Sequence, residues 1–110
     1  MAYDEQLAER IRAVLDGEPD IVEKKMFGGI SFLLRGNMCV GVYKDELLVR
    51  VAAEGTDAAL ARPHTRPFEM GGRTSMQGWV LVAPEGVRTK RNLEGWVQRG
   101  RKYALSLPAK

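Results

Sequence analysis

The stretch KKMFGGISFLLRGNMCVGVY, Lys24 to Tyr43, decides how the chain is read. It holds the pair Gly28-Gly29, then Gly36, then Gly41, with Cys39 between the last two. Glycines at such spacing can cradle a phosphate, flank a nucleophile, or turn strands. A Walker A loop ends in Gly-Lys-Ser/Thr and opens a helix. MFGGISF has no such lysine and runs into β-branched and aromatic residues. A dinucleotide fingerprint needs G-x-G-x-x-G between a strand and a helix; here a glycine pair leads into a strand. The pair therefore reads as a tight bend, a bulge or a close backbone approach between two strands.

Strands extend to both sides of it. Val22 to Phe27 is the first, Ile30 to Leu34 the second and Met38 to Tyr43 the third. Arg35-Gly36-Asn37 between the last two is a hairpin signal, because Gly and Asn tolerate positive φ. Lys44-Asp45 is a second tight turn, and Leu47 to Val51 alternates as a fourth strand. Short connections make these neighbours antiparallel. The length of the first hairpin loop sets the face of Cys39. A three-residue loop gathers Ile30, Phe32, Leu34, Met38, Val40 and Val42 on one face, with Cys39 opposite. A two-residue loop shifts the parity and puts Cys39 beside Phe32 and Leu34. The sequence leaves both open.

Helices flank this run. Leu7, Ile11, Val14 and Leu15 form one helical stripe, with Asp4 and Glu5 where the helix dipole favours negative charge. Asp16-Gly17 and Pro19 end it. Thr56 is placed as the N-cap of a short helix through Ala58–Ala61, ended by Pro63. Residues 63–78 are a Pro/Gly-rich connection with a short strand at Pro67–Met70. Trp79–Val82 is a strand, stopped by Pro84-Glu85-Gly86. A last helix runs from about Arg91 to Leu105, with Leu93, Trp96, Val97, Gly100 and Ala104 inward. The order predicts an α+β fold: a largely antiparallel sheet of about five strands, with an N-terminal, a short middle and a C-terminal helix packed on it. At 110 residues the expectation is one domain over 1–110.

Composition narrows the class. Apolar residues make up 45% and charged residues 28%, enough for a modest core. No apolar run approaches the roughly 20 residues of a membrane span, so no membrane partner is expected. The start is acidic and amphipathic, unlike a signal peptide. A lone cysteine forms no internal disulfide, and together these place the protein in the cytoplasm. Net charge is +3 but uneven: residues 1–87 carry 10 bases and 13 acids, residues 88–110 seven bases and one acid.

Little here suggests chemistry. Cys39 sits mid-strand, and a nucleophilic cysteine needs a base. His64 is the sole histidine. Separation in sequence does not decide whether the two meet, but no local motif joins them, and free cysteine is commonly buried. Alone, the two give no zinc constellation, and the acidic pairs Asp4/Glu5 and Asp45/Glu46, a helix start and a turn, do not suggest the opposed carboxylates of a glycosidase. No cofactor, no metal and no catalytic residue is expected, and the reading is non-enzymatic; an enzyme or small-ligand binder using Cys39 or His64 stands as the third alternative. The basic tail carries the one functional hint. Arg88, Arg91, Arg99 and Lys102 cluster beside the Leu93/Trp96/Val97 stripe, and Lys90 and Arg101 extend the charge. Such a helix can follow a phosphate backbone or meet an acidic protein, or serve as a solvated face; Trp96 reads as a core anchor. Nucleic acid, a protein partner and a second copy of the chain stay open as partners.

Taken in order, these features resemble the N-terminal domain of the TfoX/Sxy family, bacterial proteins named for regulators of natural competence. The resemblance rests on LAERIRAVL, then Lys24-Lys25 before the hallmark Met26-Phe27-Gly28-Gly29. It continues through the Leu34–Met38 hairpin, Leu47–Val51, Pro67-Phe68, Val82-Ala83-Pro84-Glu85, and a closing helix with Trp96, Arg99 and Arg101. Ile30-Ser31 replaces the aromatic-glycine that often follows the hallmark. The resemblance implies an α+β fold with an antiparallel sheet, a structural hallmark rather than a catalytic one, and a role in transcription or competence. The sequence reads as a stand-alone relative without the regulators' C-terminal domain.

Overall fold

The computed structural model describes residues 3–26, 29–68 and 78–108. The first helix, α1 (Glu5–Val14), starts where Asp4 accepts hydrogen bonds from the Gln6 and Leu7 amides at 3.0 and 3.1 Å. That cap satisfies amides the helix itself leaves free. Leu7, Ala8 and Ile11 are buried, and Val14 packs at the margin of the core.

Six strands follow: β1 (Ile21–Met26), β2 (Gly29–Leu34), β3 (Asn37–Tyr43), β4 (Glu46–Arg50), β5 (Thr65–Pro67) and β6 (Trp79–Val82). They form one sheet in the order β1-β2-β3-β4-β6-β5, with every pairing antiparallel. The first four strands stand where the alternation put them, within a residue at each described end. Phe27, the expected end of the first, lies outside the described residues. β5 comes earlier than the expected Pro67–Met70. Thr65 Oγ1 donates towards the carbonyls of Leu60 and Arg62, at 3.1 and 2.8 Å, so the chain turns into the strand at once. Glu69 and Met70 lie outside the described residues. The proline in β5 is at home on an edge strand.

A short helix, α2 (Thr56–Leu60), links β4 to β5. Thr56 is not its cap: Gly55 holds that position without a side-chain bond, and Thr56 is the first helical residue. Its hydroxyl instead accepts the Gly78 amide at 2.8 Å and so ties α2 to the start of β6. Pro84–Val87 forms a 3-10 turn. The last helix, α3 (Lys90–Ser106), opens with the Thr89 hydroxyl accepting the Asn92 amide.

The first hairpin contains both of the arrangements left open by the sequence. Leu34 pairs with Asn37, so the loop is the two residues Arg35-Gly36, both with positive φ (54° and 83°). Two such residues form the turn whose twist suits a hairpin. Leu33 then faces Met38 while Phe32 faces Val40, which leaves Cys39 as an extra residue, a β-bulge. The bulge restores the parity lost at the turn. Cys39, Val40 and Val42 join Ile30, Phe32 and Leu34 in the main core; Met38 goes to the other face.

Both long helices cover that main face. Leu7 and Ile11 of α1, and Leu93, Trp96, Val97 and Ala104 of α3, close over Phe32, Val40, Leu47, Val49 and Val80. On the far face Phe68 covers Met38, Leu48 and Leu81, and its ring meets Tyr43 edge-on at 5.6 Å. Ion pairs stitch the layers at their rims. Arg12 of α1 grips Glu23 of β1 through two bonds of 2.7 and 2.8 Å, and Arg101 of α3 pairs with Glu18.

The helix–sheet distance is set at Gly100. A Cβ there would lie 2.4 Å from the Cys39 carbonyl oxygen and 2.9 Å from Val40 Cγ1. At Gly95, one and a half turns earlier, a Cβ would meet nothing within 4 Å. The two glycines therefore respond oppositely to alanine. In urea denaturation, Gly100→Ala lowers stability by about 1–3 kcal/mol through overpacking. Gly95→Ala raises it by up to about 1 kcal/mol through helix propensity.

Candidate functional site

The inward stripe of α3 dictates what its outer surface shows. With Leu93, Trp96, Val97, Gly100 and Ala104 buried, the helical repeat sends Arg91, Arg99 and Lys102 out along one flank and Lys90 and Arg101 along the other. The six basic residues singled out from the sequence thus do not form one surface. Arg101 is half-buried and held by Glu18. Lys90 lies by Arg10 and Glu94, across the groove between α1 and α3. Arg88 precedes α3, and its carbonyl, like that of Val87, accepts from Arg10. Arg91 and Arg99 come together, with Lys102 exposed one turn beyond.

These two arginines line a cleft of about 330 Å³. One wall is α3, with Arg91, Asn92, Gly95, Trp96 and Arg99. The other is the turn after α2, with Arg62, Pro63 and His64, and Gly86 closes the end. Arg62 escaped the sequence reading, and His64 entered it only as a partner for Cys39; both lie about 30 residues from α3, at or beside a stretch that looked like a connection. The fold brings them in: the His64 carbonyl accepts the Ala83 amide at 2.8 Å, which locks the turn beside the 3-10 segment.

The electrostatics of the cleft are one-sided. Its lining contains three arginines and a histidine but no carboxylate. Among the described residues, Arg12, Arg35, Arg66 and Arg101 have acidic partners, whereas no carboxylate pairs with Arg62, Arg91 or Arg99. The Arg62 and Arg99 guanidiniums instead lie over the Trp96 ring, 5.1 and 5.4 Å from its centroid. An indole face stabilises a nearby cation by about 0.5–2 kcal/mol and neutralises nothing. It orients both guanidiniums without pairing their N–H donors. Trp96, 6% exposed, is both core anchor and floor of the cleft.

Cys39 and His64 are not brought together. Cys39 is fully buried beneath α3, and the charges felt by its thiol are those of Arg101 and Glu18. His64 is exposed at the cleft. Burial above all pushes the Cys39 thiol from its ordinary 9.0 up to about 12. Among the described residues, no three His, Cys, Asp or Glu side chains gather as a metal site would require.

Of the hallmark Met26-Phe27-Gly28-Gly29, Met26 ends β1 and Gly29 begins β2, while Phe27 and Gly28 lie outside the described residues. Gly29 has a steric cause: a Cβ would sit 1.9 Å from the Val42 carbonyl oxygen of β3. At this position the hallmark serves strand packing.

Fold and cleft together define a small α+β domain, a six-stranded antiparallel sheet with two helices on one face and an arginine-lined cleft at their margin. A family model, the TfoX N-terminal domain, matches residues 13–104, and the chain belongs to that family. Comparison with curated proteins and with solved structures returned no match. No helix among the described residues is long and apolar enough to cross a membrane.

The thiol makes a pH signature. Below about pH 9 the native and unfolded chains both keep the Cys39 proton, and its contribution to stability is complete. As pH rises from 9 towards 12 the unfolded chain loses the proton first, so that contribution drains away. Denaturation midpoints measured through the alkaline range fall more steeply for the wild type than for Cys39→Ala. An aromatic disulfide reagent at neutral pH labels the native thiol far more slowly than the unfolded one.

Proposed function

We propose that this domain is a non-enzymatic binding module in transcription regulation, and that the Arg62, Arg91, Arg99 and Lys102 flank holds a nucleic acid. The observation that carries this reading is three cleft arginines that have no acidic partner among the described residues, gathered around one buried tryptophan. Arginine donors on a helix and on the turn beside it suit phosphate oxygens. The reading also accounts for the concentration of positive charge after residue 87, since charge not used in folding serves long-range attraction.

A second reading has its own observation. β1 is an edge strand, and its Val22, 59% exposed, is the one large apolar side chain left open among the described residues. An open edge can pair with a second copy or another protein. Lys24 and Lys25 on the same strand oppose such pairing, so the cleft ranks first. Light scattering separates the readings: a concentration-dependent dimer abolished by Val22→Lys favours the edge.

In gel-shift titrations with a short duplex, binding weakens as salt rises, with a log–log slope of about −0.9 per phosphate engaged. The combined substitution of Arg62, Arg91 and Arg99 by Ala flattens that slope and removes most of the affinity. No binding at low salt, or binding untouched by the substitution, rejects the nucleic-acid reading.

A further inference from the structure

The geometry points to a discrete seat for one phosphate monoester dianion in the cleft, such as a 5′-terminal phosphate. This rests on the flank being the working surface, and it asks more than attraction to a polyanion. Four features lead to it.

The first is number. Three arginines line one cleft with no carboxylate among its lining residues. A monoester carries about −1.5 to −2 charges at neutral pH and presents three free oxygens. A backbone diester carries one charge and must let its chain leave in two directions. Convergent arginine forks match the monoester better, since each can take two oxygens.

The second is size. At about 330 Å³ the cleft lies at the small end of ligand sites. It suits a phosphate with the first atoms of its ester arm.

The third is Gly95. A glycine in a helix interior costs up to about 1 kcal/mol against alanine, and here no packing demands it, because a Cβ would meet nothing within 4 Å. Gly95 lines the cleft, between Arg91 and Arg99 along the helix. Any longer side chain would fill the space the arginines surround. Gly100 needs its missing side chain for packing; Gly95 keeps the cleft open.

The fourth is the floor. Arg62 and Arg99 already lie over the Trp96 ring, which is only 6% exposed, so the ring is not free to stack a base. The seat reads phosphate and ignores base identity.

The test uses the full chain and inorganic phosphate, titrated at neutral pH and constant ionic strength against sodium chloride, followed by ¹H–¹⁵N NMR. The expected result is saturable shifts confined to the amides of His64, Asn92 and Gly95 and the Trp96 indole N–H. Arg91→Ala, which removes charge-assisted bonds, and Gly95→Gln, which fills the cleft without changing charge, each weaken binding about tenfold or more. Lys24→Ala binds as wild type. Thermal unfolding of Gly95→Gln shows that the variant is folded. Shifts that never saturate, that chloride reproduces, or that survive Gly95→Gln overturn the seat. A second arm compares one short oligonucleotide with a 5′-phosphate and with a 5′-hydroxyl; about tenfold tighter binding of the phosphorylated form, whatever the first base, supports it. Equal binding of both, with no saturable phosphate binding, refutes the seat and leaves the backbone-binding reading standing. Saturable phosphate binding without binding of either oligonucleotide does the reverse.

Discussion

The contact on which the structure turns is the seating of Gly100 against the bulge at Cys39. A helix lying on a sheet must bring its backbone close to the strands at one point, or leave voids along its length. Here that point is the Cys39 carbonyl, with no room for even a methyl group between. The bulge supplies the matching half. By inserting one residue into β3 it buries Cys39 and Val40 together under the helix, and it returns Val42 to the core face. Without it, the tight Arg35-Gly36 turn would put the wrong side chains inward for the rest of the strand.

From that contact the outer surface of α3 follows by rotation. Once Gly100 points at the sheet, Trp96 must lie over its margin, and Arg91 and Arg99 must emerge on the side facing the turn after α2. The opposite flank meets the α1–β1 connection, where Glu18 takes Arg101. The positive charge of the C-terminal segment thereby divides into a structural part and an available part. Arg101 strengthens the joint between α3 and the α1–β1 connection, whereas Arg91 and Arg99, joined by Arg62, have no acidic partner among the described residues. A buried indole serves both ends, packing against the sheet on one side and orienting guanidiniums on the other.

The far face of the sheet is built differently. Met38, Leu48 and Leu81 are covered by Phe68, which arrives from the chain after β5 rather than from a helix. Glu46 and Arg66 pair beside them across the sheet. Among the described residues the two faces therefore differ in kind: one is a continuous core under two helices, and the other a smaller cluster around Phe68 beside an ion pair. The candidate cleft lies on the helical side, between α3 and the turn after α2.

Much of this was legible in the amino-acid order because it depends on neighbours. Alternation located four consecutive strands, the apolar stripe located both long helices, and Met26-Phe27-Gly28-Gly29 with its surroundings pointed to the family that the family-model match established. Other features could not be read so. The face of Cys39 depended on a bulge, which is chosen by what packs above β3. Thr56 looked like a cap but is claimed by Gly78, a residue 22 positions on. The six basic residues from Arg88 to Lys102 looked like one surface until packing assigned Arg101 to Glu18 and recruited Arg62 and His64 from a loop with no helical period to mark them. The sequence by itself determined the elements, their order and the sign of the charge, because those arise from local propensity and hydrophobic period. The tertiary structure alone decided which charges are neutralised and which converge, because Coulomb and hydrogen-bond partners are set by distance in space, and the chain brings residues 62 and 91–99 together only after α3 has docked on the sheet.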